Sequence, residues 1–233
     1  MIRYFYTRTV QSYEFIKHNG MLRFLKETFY FRRKSILVQK NLNESKFDAE
    51  FLNRNGVRFT EINADTYPTR TFEFAEKNRH LKALYYLRCG YNGHALVKSD
   101  KIIADIWYCC HDRFGHLPYH PDLDWLGIKL IPGEVYSFDI YLIPDERGNN
   151  LSAILQDSAC YDLFKKGNKR AFAYYWEDNT PAVWNTRVIN KWKEVGTARI
   201  TRLLFSHKFR AGDKKADKLK QSSDITHKRN FKL

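Results

Sequence analysis

The sequence predicts a single mixed α/β domain in which strands alternate with helices. Residues 135–167 read as a strand, a tight turn and a helix, because alternating aromatic and β-branched residues give way to apolar residues at helical spacing. Residues 94–108 read as a hairpin around a short polar loop, and residues 170–205 read as strand, helix and strand. A hydrophobic content of 43% over 233 residues is enough for one sizeable core.

Charge and composition limit the classes of partner. The formal net charge of +14 predicts acidic partners, which are a phosphorylated cofactor, a nucleic acid or an anionic membrane surface. No run approaches the roughly 18 apolar residues of a membrane span, and residues 1–4 do not open a secretory signal. The four cysteines lack the spacing of a disulfide framework, so we expect reduced thiols and a cytoplasmic protein.

The first quarter of the chain, residues 1–56, is predicted to be an extension before the main domain. Leu22, Leu25 and Phe29 share one face of a helix predicted over residues 20–33, with basic residues beside them. This helix either touches anionic lipid as an interfacial helix or packs on the domain, and packing is the commoner arrangement. Residues 35–42 then read as a strand.

The main domain is predicted over residues 57–205. It opens with a strand at 57–62 and a capping cluster at 63–65, followed by a helix over 69–79 and then the hairpin. Residues 110–133 form a long connection with scattered Pro, Gly, His and Asp, and such connections tend to be functional or mobile.

Residues 170–233 predict a strand, a helix and a strand, and then a tail. The first strand covers residues 170–176 and the last strand covers residues 197–205. Between them a helix is predicted up to Gly196, because apolar residues recur at helical spacing at Trp184, Val188, Trp192 and Val195. Residues 206–233 are basic and lack apolar periodicity, so we expect a disordered tail.

The turn at residues 145–150 has the composition of an anion-binding site. Pro144 ends the strand, and the helix after the turn runs to Gly167, a typical residue just past a helix end. The first N–H groups of that helix have no partner within it, and its macrodipole points the positive end at the turn. Gly148 lets the backbone approach a ligand and Arg147 adds a positive charge, so the turn predicts phosphate or pyrophosphate binding.

Three segments carry a resemblance to a known family. They are residues 58–65 (RFTEINAD), residues 139–148 (DIYLIPDERG) and residues 170–196. In this order they resemble the GNAT superfamily of acyl-CoA-dependent N-acyltransferases. The resemblance implies a mixed, mostly antiparallel sheet with a splayed central strand pair flanked by helices. It also implies transfer of an acyl group, acetyl above all, from acyl-CoA to an amine.

The acyl-CoA signature of that family, Q/R-x-x-G-x-G/A, is similar to residues 147–152, which read RGNNLS. Asn150 stands in place of the signature glycine, and asparagine tolerates the left-handed backbone region better than most residues. The resemblance implies that the diphosphate lies on the amides of residues 148–152 and that the pantetheine arm follows the preceding strand. The implied cofactor contacts are Leu142, Ile143, Arg147, Gly148, Asn149, Asn150, Leu151, Ser152, Asn179 and Asn185.

Two of these contacts are alternatives. Family members carry one asparagine near the start of the last helix, and either Asn179 or Asn185 fits that role, while each also fits a helix cap. The tyrosine that often protonates the leaving thiolate is replaced by Trp192, whose indole cannot act as an acid. The resemblance leaves Tyr141, Tyr174 or Tyr175, or a water, as the substitute acid; of these Tyr141 is our first choice.

Asp139 is the candidate general base. It lies on the predicted fourth strand of the family fold, where burial would raise its pKa and prepare it to take a proton from the attacking ammonium. The alternative is a structural carboxylate bound to neighbouring backbone.

A metal site is not expected. Cys109 and Cys110 are adjacent on a strand and therefore point to opposite faces, and no CxxC pair accompanies them or His111, His116 and His120. Residues 111–124 instead predict a polar loop over the acceptor site, where His116, His120, Asp122, Asp124 and Trp125 are candidates to recognise substrate.

The acceptor is expected to be a small-molecule amine. An amino sugar of a surface-polysaccharide pathway is one class that the resemblance allows. Peripheral contact with an anionic membrane is compatible with the basic segments, whereas nucleic acid is not favoured because no RNA-binding motif is present. The alternative function is a non-catalytic binder that keeps the fold and uses its charge on nucleic acid or anionic lipid.

Overall fold

The computed structural model describes residues 30–112, 114–203 and 206–212, together with a few isolated positions before residue 22. Within these residues nine strands form one sheet in the order β2-β4-β5-β6-β7-β1-β8-β9, with β3 beside β5. The strands are β1 Tyr30–Asn41, β2 Arg58–Ile62, β3 Glu73–Phe74, β4 Asn92–Lys98, β5 Lys101–Cys110, β6 Glu134–Leu142, β7 Arg170–Trp176, β8 Lys193–Leu203 and β9 Ser206–Gly212. The helices are α1 Ala49–Arg54, α2 Lys77–Arg88, α3 Pro121–Leu126, α4 Leu151–Lys165 and α5 Thr180–Val183, which continues as a π-helical turn, Trp184–Ile189.

The predicted fold class is confirmed, since the sheet is mostly antiparallel and helices flank it. The pairs β3–β5 and β6–β7 are parallel. Residues 134–136 of β6 pair with residues 170–172 of β7, and beyond that point the two strands no longer pair. This is the splayed central strand pair.

The helices divide between two faces of the sheet. Leu123 and Leu126 of α3 and Ala83 of α2 pack with Trp107 and Tyr136 on the face that we call the front. Residues of α1 and α4 pack on the opposite, rear face, in two clusters that include Leu52, Leu155 and Leu163. The front and rear faces therefore have separate hydrophobic cores.

The predicted hairpin is confirmed. β4 and β5 pair antiparallel through a turn whose central residues, Ser99 and Asp100, both have positive φ (48° and 59°). This left-handed pair is the turn geometry that matches strand twist in a two-residue hairpin loop. The strands predicted at 57–62 and 170–176 are confirmed as β2 and β7.

The helix predicted over residues 69–79 is wrong. Glu73 and Phe74 form β3, which pairs with Lys101 and Ile102, and the helix α2 begins only at Lys77. Phe74 is buried in the front core. Pairing at the edge of the hairpin and burial of this one ring outweigh the local helical pattern.

The last helix predicted up to Gly196 is also wrong. The helical segment ends at Ile189, and β8 begins at Lys193 and pairs with β1, where Gly196 lies opposite Leu37. Trp192 is buried in the rear core between the two elements. Of the four residues whose spacing predicted the helix, Trp192 is buried, whereas Trp184 and Val188 are exposed on the helical turn before it.

The sheet includes residues on both sides of 57–205. β1 lies between β7 and β8 inside the sheet, although sequence analysis places it in an extension. Residues 30–33 belong to β1, which corrects the end of the helix predicted over 20–33. Residues 206–212 form β9 against β8, not the start of a disordered tail. The rest of that helix, apart from two isolated positions, and residues 213–233 lie outside the described residues, as does the lipid contact proposed for the helix.

None of the helices within the described residues is long and apolar enough to cross a membrane.

Candidate active site

A gap opens between β6 and β7 at the centre of the sheet. Tyr136 and Phe172 form the last pair between the strands, so the edge of β6 over residues 137–142 has no strand partner on the β7 side within the described part of the chain. Phe138 of β6 and Tyr174 of β7 follow this last pair and join the front core. Backbone groups and front-face side chains are therefore both available at the gap.

A β-bulge lies on β6 beside the gap. Phe138 pairs with Trp107 and Tyr141 pairs with Asp105. Asp139 and Ile140 of β6 therefore lie opposite a single residue of β5, Ile106. Asp139 has a φ of 51°, which few non-glycine residues adopt. Bulges of this kind re-aim side chains and are over-represented next to active sites.

Three side chains of α2 bind the carboxylate of Asp139. Arg79 Nη1 donates to Asp139 Oδ2 at 3.1 Å, Lys82 Nζ lies 2.9 Å from the same oxygen, and the Tyr86 hydroxyl donates to it at 3.0 Å. Burial alone would raise the pKa of Asp139, but the charges of Arg79 and Lys82 outweigh it and hold that pKa below its ordinary range. The expectation of a raised pKa at Asp139 is therefore wrong.

Arg79 connects this carboxylate to a second one. It binds both carboxylate oxygens of the buried Asp105 on β5, and Trp107 Nε1 donates to Asp105 Oδ2 at 2.7 Å. Sequence reasoning missed Arg79, Lys82 and Tyr86. Their spacing of three and four residues, which puts them on one helix face, was the available signal.

Each of the three candidate tyrosines has different surroundings. Tyr141 donates to Glu76 Oε1 at 2.7 Å, and burial together with that carboxylate raises its pKa. Tyr175 points to the rear and donates to Glu194 Oε1 at 2.9 Å; burial and this hydrogen bond raise its pKa to about 12. The hydroxyl of Tyr174, on the front, has no hydrogen-bond partner among the described residues.

Tyr174 lies among aromatic rings next to two carboxylates. Its ring is 5.1 Å from that of Trp125 and 5.2 Å from that of Trp176, both edge to face. Burial raises the pKa of Tyr174, and the charges of Asp122 and Asp139 raise it further. This phenol therefore keeps its proton at neutral pH.

The turn before α4 presents a row of backbone amides. Gly148 has a φ of 97° and Asn150 a φ of 55°, so asparagine adopts the left-handed conformation where the signature has glycine. The N–H groups of residues 148–152 have no hydrogen-bond partner among the described residues, while the carbonyl of Asn150 accepts from Ala153 and Ile154. We call residues 147–152 the amide cradle.

Arg147 and the residues just before the cradle are held in place. Arg147 Nε donates to the carbonyl of Leu142 at 3.3 Å, which bends the guanidinium back over the end of β6. The N–H of Ile143 donates to the carbonyl of Ile103 at 2.9 Å, on the β5 side. Lys98 Nζ pairs with Glu146 at 2.6 Å and balances the acid nearest the cradle.

The two candidate asparagines differ clearly. Asn179 is exposed and caps α5 by accepting from the N–H of Ala182 at 3.3 Å. Asn185 is 6% exposed, and its Oδ1 has no partner among the described residues. An orphaned buried amide oxygen calls for a ligand or a water, so of the two asparagines Asn185 is the one whose side-chain oxygen is open to a further contact. Trp192 lies in the rear core, on the opposite face of the sheet from Tyr174.

The connection over residues 111–133 brings α3 against the gap. His120 is buried and caps α3 by accepting from the N–H of Asp122, and its ring lies 4.2 Å from that of Phe138. Burial lowers the pKa of His120. Asp122 accepts from the Tyr136 hydroxyl at 2.7 Å and from Trp125 Nε1 at 3.0 Å.

Other candidates of this connection lie elsewhere. Asp124 accepts from the exposed Tyr119 at 2.8 Å, and the N–H of His116 donates to Asp112 within a surface turn. Within the described residues, no group of three or more His, Cys, Asp or Glu side chains is arranged to hold a metal ion.

Comparison with known proteins gives matches among solved structures alone. No protein-family profile and no curated sequence matches the chain. A structure described as a GCN5-related glucosamine N-acetyltransferase region of a fungal multi-domain β-N-acetylglucosaminidase is 13% identical, with a TM-score of 0.52, over 80% of this chain and 22% of that one.

Two further structures match less closely. A GCN5-related N-acetyltransferase from Kribbella flavida is 11% identical, with a TM-score of 0.42, over 77% of this chain and 62% of that one. A tandem GNAT protein from the clavulanic acid biosynthesis pathway is 12% identical, with a TM-score of 0.45, over 78% of this chain and 55% of that one. The chain thus spans less than two thirds of each of the three proteins.

The strand order, the splayed pair and the structural match to the fungal region agree with the family that the sequence resembles. The chain has the fold of the GNAT N-acetyltransferases.

Proposed function

We propose that the protein is an acyl-CoA-dependent N-acyltransferase that moves an acetyl group to a small-molecule amine by direct attack. One observation carries the proposal: a splayed strand pair opens beside a row of backbone amides that have no partner among the described residues. Amides at a helix N-terminus suit a diphosphate, and an unpaired strand edge suits an amide-containing chain such as pantetheine.

The residues present fit acyl-CoA. The amides of residues 148–152 would bind the diphosphate, with Arg147 beside them, and the edge of β6 up to Leu142 would pair with the pantetheine arm. The N–H and the carbonyl of Ile143 are already bound to Ile103 and Glu146, so the pairing predicted for Ile143 is wrong. Asn185 offers an amide whose oxygen has no partner among the described residues. The positive net charge of the chain adds long-range attraction for the phosphates.

Asp139 has a positioning role in this proposal. A carboxylate whose pKa is held low by two cations is a poor base, so the acceptor amine loses its proton to solvent before attack. The ion pairs with Arg79 and Lys82 instead fix the bulge whose backbone borders the gap.

Tyr174 is the proposed donor to the leaving sulfur, in place of Tyr141 and Tyr175, whose hydroxyls bind carboxylates. The amine nitrogen forms a bond to the thioester carbon, the carbon–sulfur bond breaks with its electron pair on sulfur, and the proton that nitrogen loses reaches sulfur through solvent. A thiol has a pKa of about 8.5, well below that of a phenol whose pKa burial has raised. Tyr174 therefore donates a hydrogen bond to the thiolate and keeps its proton.

The acceptor class is an amino sugar in this proposal. Trp125, Tyr174 and Trp176 form an aromatic wall on the front of the gap, and Asp122 lies beside it. Aromatic faces and a carboxylate attract an ammonium group. The fungal region with the same fold is described as a glucosamine N-acetyltransferase, so glucosamine is the first acceptor to test.

Calorimetric titration with acetyl-CoA tests the cradle. We expect saturable heat from the full-length protein and its loss in Gly148→Glu, because the new carboxylate would repel the diphosphate. Gly56→Glu is the matched control, since both glycines have positive φ and no neighbouring atom at the Cβ position. Absence of saturable heat at millimolar acetyl-CoA would contradict the proposed function.

Steady-state kinetics with acetyl-CoA and glucosamine test Tyr174. Loss of one donor to developing charge costs about a hundredfold in turnover, so we expect that loss in Tyr174→Phe with acetyl-CoA affinity unchanged. Tyr175→Phe, at the next position on the opposite face, should stay close to the parent protein. Equal effects of the two variants would exclude the role of Tyr174.

A further inference from the structure

The π-helical turn after α5 exposes three apolar side chains. Trp184 is 59% exposed, Val188 47% and Ile189 37%. In a turn with i→i+5 hydrogen bonds, residues four and five positions apart come to the same side, and the bond from Asn190 N to Asn185 O at 3.1 Å has this spacing. The three side chains therefore form one surface, which we call the Trp184 face.

This turn is fixed to the rest of the protein by its opposite side. Asn190 is buried and its Nδ2 donates to the carbonyl of Ala153 at 3.1 Å and to Gln156 Oε1 at 2.8 Å. Ala153 lies in the first turn of α4, directly after the amide cradle. The Trp184 face is thus held next to the cradle and turned away from α4.

Basic residues lie within and directly after the Trp184 face in the sequence, and the nearest acidic residues are paired: Glu177 with Lys34, Asp178 with Arg33 and Glu194 with Arg187. Residues 180–193 contain Arg187, Lys191 and Lys193 and no acidic residue. Lys191 and Lys193 are exposed. Arg187 forms an ion pair with Glu194, with 3.4 Å between Nη1 and Oε1. An exposed tryptophan with aliphatic neighbours and flanking lysines has the chemistry of an interfacial membrane segment, whose apolar side enters the acyl boundary while cations meet lipid phosphates.

Charge distinguishes this face from the two exposed aromatic residues of the connection over residues 111–133. Phe114 is 80% exposed and Tyr119 69% exposed, but both lie on the connection that carries Asp112, Asp122 and Asp124. An anionic surface would repel that region. Isolated exposed apolar residues are common on proteins, so the combination with cations is what points to a ligand surface.

We propose that the Trp184 face docks the protein onto an anionic lipid bilayer. Trp184, Val188 and Ile189 enter the interfacial region, and Lys191 and Lys193 contact headgroup phosphates. The amide cradle then lies close to the membrane surface. This surface is independent of the proposed acyl transfer, since none of its residues is assigned to catalysis.

Sedimentation of the full-length protein with vesicles tests the docking. We expect binding to vesicles of phosphatidylcholine mixed with phosphatidylglycerol, weaker binding to phosphatidylcholine alone, and a decline with added salt. Trp184→Ser should weaken binding about tenfold by removing buried apolar area. Lys191→Asn should weaken it about fivefold, the effect of one cation at an anionic surface. Asparagine suits the positive φ of Lys191, 54°, so this variant adds little strain.

Phe114→Ser is the matched control, because it removes a more exposed aromatic residue from the acidic connection, and it should bind like the parent protein. A second measurement locates the contact. Brominated lipid should quench tryptophan fluorescence in the parent protein and not in Trp184→Phe, which keeps an apolar ring and therefore still binds.

Two results would overturn the proposal. Unchanged vesicle binding by Trp184→Ser and Lys191→Asn would show that other basic segments bind the lipid. A dimer that Trp184→Ser converts to monomer, with vesicle binding unchanged, would show that the face joins two copies of the chain.

Discussion

Two clusters of ionisable side chains lie on opposite faces of the sheet and stabilise buried charge differently. On the front, Asp105 and Asp139 share the guanidinium of Arg79, and Lys82 supplies a second cation. The front cluster therefore contains two carboxylates and two cations, equal numbers of acidic and basic side chains. On the rear, the group at the centre is the fully buried His94, which stays neutral.

The rear cluster relies on packing as much as on charge. The ring of His94 stacks between Phe59 and Tyr108, with 5.1 Å to each centroid, and its Nε2 lies 2.8 Å from Asp162 Oδ2. Lys166 bridges Asp162 and Glu61 at 2.8 and 2.7 Å. This arrangement fastens the end of α4 to β2 and β4.

The front network fixes the backbone beside the gap, whereas the rear network holds α4 against two strands. The front network fixes a residue at positive φ, Asp139, next to the gap, and strained positions of this kind cluster at functional sites. In the rear network His94 Nδ1 is buried without a partner among the described residues. That nitrogen would carry the second proton, so protonation there has no compensating acceptor.

The largest effect is expected from Arg79→Met. Asp105 would be left buried with the Trp107 N–H as its partner, and removing one side of a buried ion pair costs about 3–5 kcal/mol of the free energy of unfolding. Urea denaturation measures the change.

Arg58→Met is its control. Arg58 pairs with Asp100 at 3.0 Å on the surface, with both side chains more than half exposed, so we expect a cost below about 1 kcal/mol. Equal costs in the two variants would mean that the front network contributes no more than a surface pair.

A smaller effect is expected from acidification, through the rear cluster. Burial outweighs the attraction of Asp162 and lowers the pKa of His94 below its ordinary value of 6.5. Below about pH 6.5 the unfolded chain therefore binds more protons at this position than the folded chain, and stability falls as the pH drops. His80 and His120, whose pKa values burial also lowers, contribute with the same sign.

Urea denaturation between pH 5 and pH 7 checks this expectation, since the ordinary histidine pKa of about 6.5 lies in that range. The slope of stability against pH should be shallower in His94→Gln than in the parent protein. An unchanged slope in His94→Gln would remove His94 as a source of the dependence.

The smallest effect is expected from Lys82→Met. Arg79 and Tyr86 still bind Asp139 in this variant, and Lys82 is partly exposed, so we expect a cost of about 1 kcal/mol. The pKa of Asp139 should rise when this cation is lost, which NMR titration of the carboxyl group measures. A cost as large as that of Arg79→Met would mean that the front cluster depends equally on both cations.

Local rules were sufficient for the turn and the hairpin. A proline, a glycine and an asparagine at fixed spacing predicted the end of β6 and the start of α4, and Asn150 adopts the left-handed conformation expected of a glycine substitute. These features depend on sterics and hydrogen bonds within a few residues. The hydrogen bonds and ion pairs of Asp139 depend instead on Arg79, which lies 60 residues earlier in the chain. No pattern within a few residues of either one predicts that they pair.

The same reason explains the wrong helix before Gly196. Its apolar spacing fits a helix, but Lys193 onward pairs with β1, more than 150 residues away, and buried strand pairing outweighs a weak local preference.

The sequence by itself determined the fold class, the order of the central elements and the amide cradle, because propensity, turn chemistry and helix-end geometry act over short stretches. The tertiary structure alone decided the low pKa of Asp139, the different surroundings of Tyr141, Tyr174 and Tyr175, the central place of β1 and the exposure of Trp184. Each of these depends on which distant residues share a face of the sheet, and burial and charge pairing fix that only when the whole chain folds.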